Sequence, residues 1–279
     1  MKKIIIPVDF SLYSENALRT AASFAKKYNS ELIVVHMLEL SSAIASVPQS
    51  YVNEQAVFYA KLAEKQFNEF LDKDYLKDIK ITPIIKHYKI FSELNTTAKE
   101  EEADLIVMGS HGVSGLKEIF VGSNTEKVVR TSKVPVLVVK GLPISGMFKK
   151  AVFGCNFTDN DIAPYKKAKK IFSGMGCKLT LLHVNTPYDK FLSTKERKEK
   201  VSKFLNSVEE DINLLDEVAY VSAHSVEEGI TYYAKENNAD VIVLATHGRR
   251  GLDHFFNGSI SEDIANHSVL PVLTIKKES

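Results

Sequence analysis

The stretch ADLIVMGSHGVSGLKEIFVGS (Ala103–Ser123) returns as ADVIVLATHGRRGLDHFFNGS (Ala239–Ser259), aligned without a gap at an offset of 136 residues (111 to 247). Each copy opens on a short apolar run that does not alternate, as in a strand buried on both faces. Each then passes through a glycine-rich loop and ends on Gly-Ser ahead of a helical pattern. VPVLVVK (134–140) likewise matches LPVLTIK (270–276). Nearer the amino end of each copy, Asp9 matches Asn156 and His36 matches His183, at an offset of 147. The first copy therefore carries eleven extra residues, placed in the polar, small-residue stretch Ser41–Gln55. The chain is an internal duplication.

Strand-like and helix-like segments alternate through both copies. In the first, strands are expected over Lys3–Val8, Leu32–Leu38, Ile79–Tyr88, Leu105–Met108 and Val134–Val139. Helices are expected after Ser14 as N-cap, then over Ala56–Leu71, Ser92–Glu101 and Asn124–Thr131. The second copy repeats the order from Lys150–Cys155 to a last strand over Leu270–Ile275. Such alternation implies right-handed crossovers and a mostly parallel sheet covered on both faces. The Gly- and Pro-bearing stretch GLPISGMF (141–148) marks a linker, which divides the chain into domains over 1–140 and 150–279 with the connection at 141–149.

The bulk numbers exclude several classes. Among 279 residues, Lys and Arg number 36 and Asp and Glu 35, a balance without the footprint of a nucleic-acid or anionic-membrane partner. No apolar run has the length of a membrane span, and MKKIIIPVDF does not read as a secretory signal. Cys155 and Cys177 sit in apolar surroundings, which suits reduced, inert thiols and a cytoplasmic protein.

The segment that carries chemistry is Gly109-Ser-His-Gly112, nine residues, then Gly122-Ser123. Glycines between a strand and a helix let backbone N–H groups approach an anion, and the helix start adds orphan N–H groups and partial positive charge. In an open parallel sheet these loops gather at the carboxyl ends of the strands, where ligands bind. Asp9, ending the first strand, shares that rim and offers a carboxylate to ribose hydroxyls or an adenine amino group.

With its G-x-x-G, nine residues, G-S motif, its opening IIIPVDFS and its VPVLVVK, the sequence resembles the universal stress protein family. The resemblance implies two tandem α/β domains of the open, Rossmann-like kind, each a five-stranded parallel sheet ordered 3-2-1-4-5 with helices on both faces. It implies ATP across the rim between the first and fourth strands. Pro7, Val8 and Asp9 would then line the adenine and ribose side, with Met37 beside the base. Met108, Gly109 and Gly112 would approach ribose and phosphates, and Gly122, Ser123 and Asn124 would hold the phosphate chain, with or without Mg²⁺. It also implies pairing through the last strands as an internal dimer, and allows a homodimer.

The second copy keeps Gly248, Gly258 and Ser259, followed by Ile260, but has Ala245 for the first glycine and Asn156 for the acid. A methyl group at Ala245 would obstruct close approach of a ligand, and Asn156 exchanges charge for added donors. Arg249 stands where it could reach phosphate; with Val184 in the place of Met37 these residues form a possible second site, and the main site is expected in the first copy. The Ser41–Gln55 insertion reads as a lid or as a plain surface loop. Ser123-x-x-Glu126 and Ser259-x-x-Glu262 have the form of capping boxes, and His111 and His247 read as structural or ligand-lining. No grouping has metal-ligand spacing.

Three functions fit these residues: an ATP-binding sensor or regulator in the stress response, a slow ATPase or autokinase with Ser123 or Thr125 as acceptor, or a nucleotide-free interaction module or binder of another small ligand. The glycine loop lacks the lysine of a Walker motif, since Asn124 follows Gly122-Ser123, and no catalytic residue is singled out.

Overall fold

A computed structural model describes residues 1–38, 49–87, 90–110, 123–144, 147–187, 191–208, 212–246, 264 and 268–277. The first repeat contributes strands β1 (Lys3–Val8), β2 (Glu31–Leu38), β3 (Ile81–His87), β4 (Leu105–Gly109) and β5 (Val136–Val139). The second contributes β6 (Lys150–Gly154), β7 (Lys178–Asn185), β8 (Ala219–Ser222), β9 (Val241–Thr246) and β10 (Val272–Lys276). They form one ten-stranded sheet in the order β3-β2-β1-β4-β5-β10-β9-β6-β7-β8. Within each half every pairing is parallel, in the order 3-2-1-4-5.

The halves meet where β5 and β10 pair antiparallel, with Val138 opposite Val272, Leu137 opposite Leu273 and Val136 opposite Thr274. Under the 136-residue repeat Leu137 and Leu273 are each other's equivalents, so the local two-fold passes through that pair and the contact is isologous. Each strand removes the other's open edge. The outer edges are β3 and β8, and Pro83 in β3 sits where an edge strand tolerates a missing N–H.

Among the described residues the α-helices include α1 (Leu12–Tyr28), α2 (Gln49–Leu71), α3 (Ile90–Glu100), α4 (Ser123–Thr131), α5 (Ile162–Met175), α6 (Thr194–Ser207) and α7 (Val226–Glu236). Helix α1 starts earlier than its Ser14 reading suggests. Ser11 is the N-cap, accepting from Ser14 N, while Ser14 is buried in the first turn and returns its hydroxyl to the Ser11 carbonyl. Asn29 closes the helix in the left-handed region (φ 51°), its N–H bonded to Ala25. Helix α2 begins at Gln49, so part of the Ser41–Gln55 insertion is helix rather than loop; residues 39–48 lie outside the described residues. At 23 residues against 14 in α6, α2 absorbs much of the extra length.

Strand β1 shows why its sequence is apolar throughout. Ile4, Ile6 and Val8 join a core on one face and Ile5 a core on the other. The first of these cores runs unbroken through both repeats, packing α1, α2, α5 and α6 together. The opposite face is split into one cluster per repeat, under α3 and α4 and under α7. The linker is fastened into the shared core: Ile144 N donates to Thr20 Oγ1 at 3.0 Å, and Phe148 is buried beside Phe24 and Phe172.

Candidate functional site

In the first repeat β1 and β4 run side by side, Ile4 opposite Leu105 and Ile5 opposite Ile106. Their following helices go to opposite faces, α1 to the shared core and α4 (Val128, Val129) to the other. A crevice opens at the carboxyl ends of such a strand pair, at the point where strand order reverses. Pro7, Val8 and Asp9 come to this rim from β1, Met37 from β2, and Met108 and Gly109 from β4. Val8, Met37 and Met108 are buried, and Pro7 and Asp9 half-buried.

The loop after β1 is held on three sides. Asp9 Oδ1 accepts from Ser11 N at 3.1 Å, a turn that orders the entry to α1. Phe10 takes a positive φ of 64° and stacks on His36 with ring centroids 4.3 Å apart. The His36 Nδ1–H donates back to the Val8 carbonyl at 2.9 Å. Strain at Phe10 is thus held by ring stacking on β2 and edge contacts to Phe67 and Phe70 of α2.

On β4, a methyl group at Gly109 would lie 2.7 Å from the Tyr13 carbonyl oxygen. The glycine is required by the close seat of the first turn of α1, before any ligand is considered. Thr125 Oγ1 donates to the Gly109 carbonyl at 3.0 Å, tying the start of α4 to the end of β4. That buried hydroxyl is engaged and is not presented as a phosphate acceptor. Asn124 is half-buried in the first turn of α4. Gly112, Gly122, His111 and the Ser123 side chain, with its capping box, lie outside the described residues.

The second rim is built differently. Asn156 is exposed, Val184 buried and Ala245 half-buried; Gly248, Arg249, Gly258, Ser259 and Ile260, with His247 and the second capping box, lie outside the described residues. Phe157 repeats the positive φ (54°) and packs against His183, whose Nδ1 meets the Cys155 carbonyl at 3.3 Å. Where α1 begins directly, the second repeat has a 3-10 turn, Asp159–Asp161, ahead of α5. Asp161 Oδ1 pairs with Lys277 Nζ at 2.8 Å, and Oδ2 accepts from Thr158 N and Oγ1. Burial pushes the Asp161 carboxyl up, but Lys277 and the Thr158 donors outweigh it and hold it below the usual range. Among the described residues the Thr246 hydroxyl and His183 Nε2 are buried without a hydrogen-bond partner.

The sequence profile described as Universal stress protein family matches residues 1–140 and again 147–276. The chain belongs to the universal stress protein family. Among relatives, Universal stress protein MJ0577 of Methanocaldococcus jannaschii is 35% identical over 153 residues, covering 50% of this chain and 94% of that one. Universal stress protein YxiE of Bacillus subtilis is 32% identical over 145 residues, covering 50% and 98%. Both are thus the length of one repeat. A crystal structure of a universal stress protein from Archaeoglobus fulgidus shares the fold across 99% of this chain and 97% of its own, with TM-score 0.72 and 23% identity.

Sequence reasoning passed over several rim residues of this universal stress protein. Phe10 had a readable signal, because Phe recurs at 157 in the second repeat. Tyr13 had none, since it acts on Gly109 through a contact distant in sequence, and Thr125, read as a phosphoryl acceptor, instead ties α4 to the Gly109 carbonyl. Lys140 follows β5 on the same rim, next to the Ser110 N–H that donates to Val139, and burial pushes its ammonium down to about 8. The pairing of Asp161 with Lys277 spans most of the second repeat and carries no local pattern. Among the described residues no group of three or more His, Cys, Asp or Glu gathers for a metal, and no helix is long and apolar enough to cross a membrane.

Proposed function

We propose that the first domain (1–140) of this universal stress protein binds an adenine nucleotide, ATP foremost, and acts as a cytoplasmic sensor or regulator. The observation that carries the reading is the meeting of three strand ends at the switch point, with Asp9, Met37 and Gly109 on adjoining strands and the start of α4 tied to β4. Asp9 would accept from ribose or adenine, Pro7, Val8, Met37 and Met108 would contact the base and sugar, and Gly109, Gly112, Gly122, Ser123 and Asn124 would carry the phosphates. A Mg²⁺ ion arriving with the nucleotide would take ligands chiefly from phosphate oxygens and water.

The second domain (150–279), beyond the 141–149 linker, favours a different role. A buried Asp161–Lys277 pair, Asn156 and Ala245 alter the equivalent rim, which supports an interaction module or a weaker site there. Titration calorimetry of nucleotide-stripped protein with ATP and Mg²⁺ tests both readings, beside a Gly122→Val, Ser123→Ala variant. One site per chain, lost in the variant, is expected. Two equal sites would refute the division between domains, and no binding by heat or thermal shift would refute the nucleotide reading. Phosphate release at each ATP concentration separates a binding protein from a slow ATPase.

A further inference from the structure

On the side of the sheet opposite the rim, at the amino ends of β1, β4 and β5, a cavity of about 350 Å³ lies between the two repeats. Its first-repeat wall includes Tyr28, Val134 and Pro135, and its second-repeat wall is the α5 strip with Ile171, Gly174 and Met175. Lys133, Lys167 and Lys170 stand around it. The volume falls in the ordinary range of small-ligand pockets, about 300–1,000 Å³.

Duplication supplies an internal control. The two-fold that relates the repeats maps this place onto one beside α1, where Thr20, Ser23 and Val269 replace Lys167, Lys170 and Lys133. There Phe148 stands in the place of Met1, buried between Phe24 and Phe172, and Ile144 is fastened to Thr20. The linker thus packs Phe148 and Ile144 into one of two equivalent places, while the other is a cavity with three lysines on its wall. The acid on the cavity wall, Asp104, does have a structural duty: its Oδ2 accepts from the backbone N–H groups of Lys2 and Lys3. Asp240 repeats this with Lys149 and Lys150, so the duty belongs to the fold in both repeats.

We infer that this inter-repeat cavity binds a small anion with a compact apolar body, its sulfonate, carboxylate or phosphate held by Lys133 and Lys170 and its body lying on Tyr28, Ile171 and Met175. Ammonium groups act there as point charges on a flexible stem, suited to an anion without demanding one geometry. An occupant touches both repeats at once.

Anilinonaphthalene sulfonate is the probe, with neutral N-phenylnaphthylamine as its uncharged counterpart, both followed by fluorescence titration of the full chain. Gly174 lines the cavity and a Cβ there meets nothing within 4 Å, so Gly174→Leu sets a bulky side chain on the cavity wall from a position with open space around it. The expected result is one sulfonate site per chain, lost in Gly174→Leu and weakened about tenfold in Lys133→Gln, Lys170→Gln, with circular dichroism melts no lower than those of the natural chain. The same site should persist in Gly122→Val, Ser123→Ala, which keeps it distinct from any nucleotide site. Undiminished binding to Gly174→Leu, equal affinity for the neutral amine, or no binding to the natural chain up to about 1 mM would each overturn the inference.

Discussion

Replacing Gly109 by alanine tests why this rim glycine exists. Its new methyl carbon would stand 2.7 Å from the Tyr13 carbonyl oxygen and 2.8 Å from the carbonyl carbon, where ordinary contact begins near 3.4 Å. Both neighbours are backbone in the first turn of α1, so no side-chain rotation relieves the overlap. The turn must shift by roughly 0.7 Å away from β4, disturbing the cap at Ser11. Overpacking of this kind costs about 1–3 kcal/mol. With an unfolding entropy of about 2.1 cal/mol/K per residue, a chain of this length loses about 2–5 °C in Tm. Urea unfolding and a thermal melt of nucleotide-free protein measure it directly. The reciprocal change, Ala245→Gly, removes a half-buried methyl from β9 and should cost less than about 1 kcal/mol through strand entropy. If Gly109→Ala left stability untouched while abolishing ATP binding, the helix-packing reasoning would be refuted and the glycine would belong to the ligand alone.

Asp161→Asn should destabilise the protein by about 3–5 kcal/mol at pH 7, because it strands the buried Lys277 ammonium. The carboxyl is held below its ordinary value of 3.8, so its contribution is present above that pH and fades as the pH falls through the lower folded value; stability curves of parent and variant should converge under acid. Burial raises the Cys155 thiol well above its ordinary range and Cys177 to about 11, so a disulfide-exchange reagent at pH 8 should label neither in the native protein and both in urea. Two helix glycines should respond oppositely to alanine. Gly174→Ala gains up to about 1 kcal/mol of helix propensity in open space, whereas Gly229→Ala brings a methyl within 2.5 Å of Val184 Cγ1 and should lower Tm.

Much of the fold was legible before any coordinates. The 136-residue echo of the Ala103–Ser123 stretch revealed the duplication, and uniformly apolar runs such as Ile4–Ile6 announced strands buried on both faces. These are local signals, because burial on two sides forbids alternation and helix starts need caps and glycines nearby in the chain. The start of α1 was misplaced by a turn because Ser11 and Ser14 are both competent caps; packing of Ser14 into the core decides between them. The helical part of the insertion was equally hidden, since polar, small residues around Gln49 carry no helical stripe of their own.

By itself the sequence determined the repeat, the fold class and which strand ends carry the glycine motif and Asp9. Only tertiary structure decided that Gly109 is demanded by Tyr13, that Asp161 finds Lys277, and that Phe148 packs into one of two equivalent places while lysines line the other. The reason is distance along the chain. Periodicity and turn chemistry act within a few residues, but each of these contacts joins segments far apart in sequence, and only the packed sheet and its crossing helices bring them within reach.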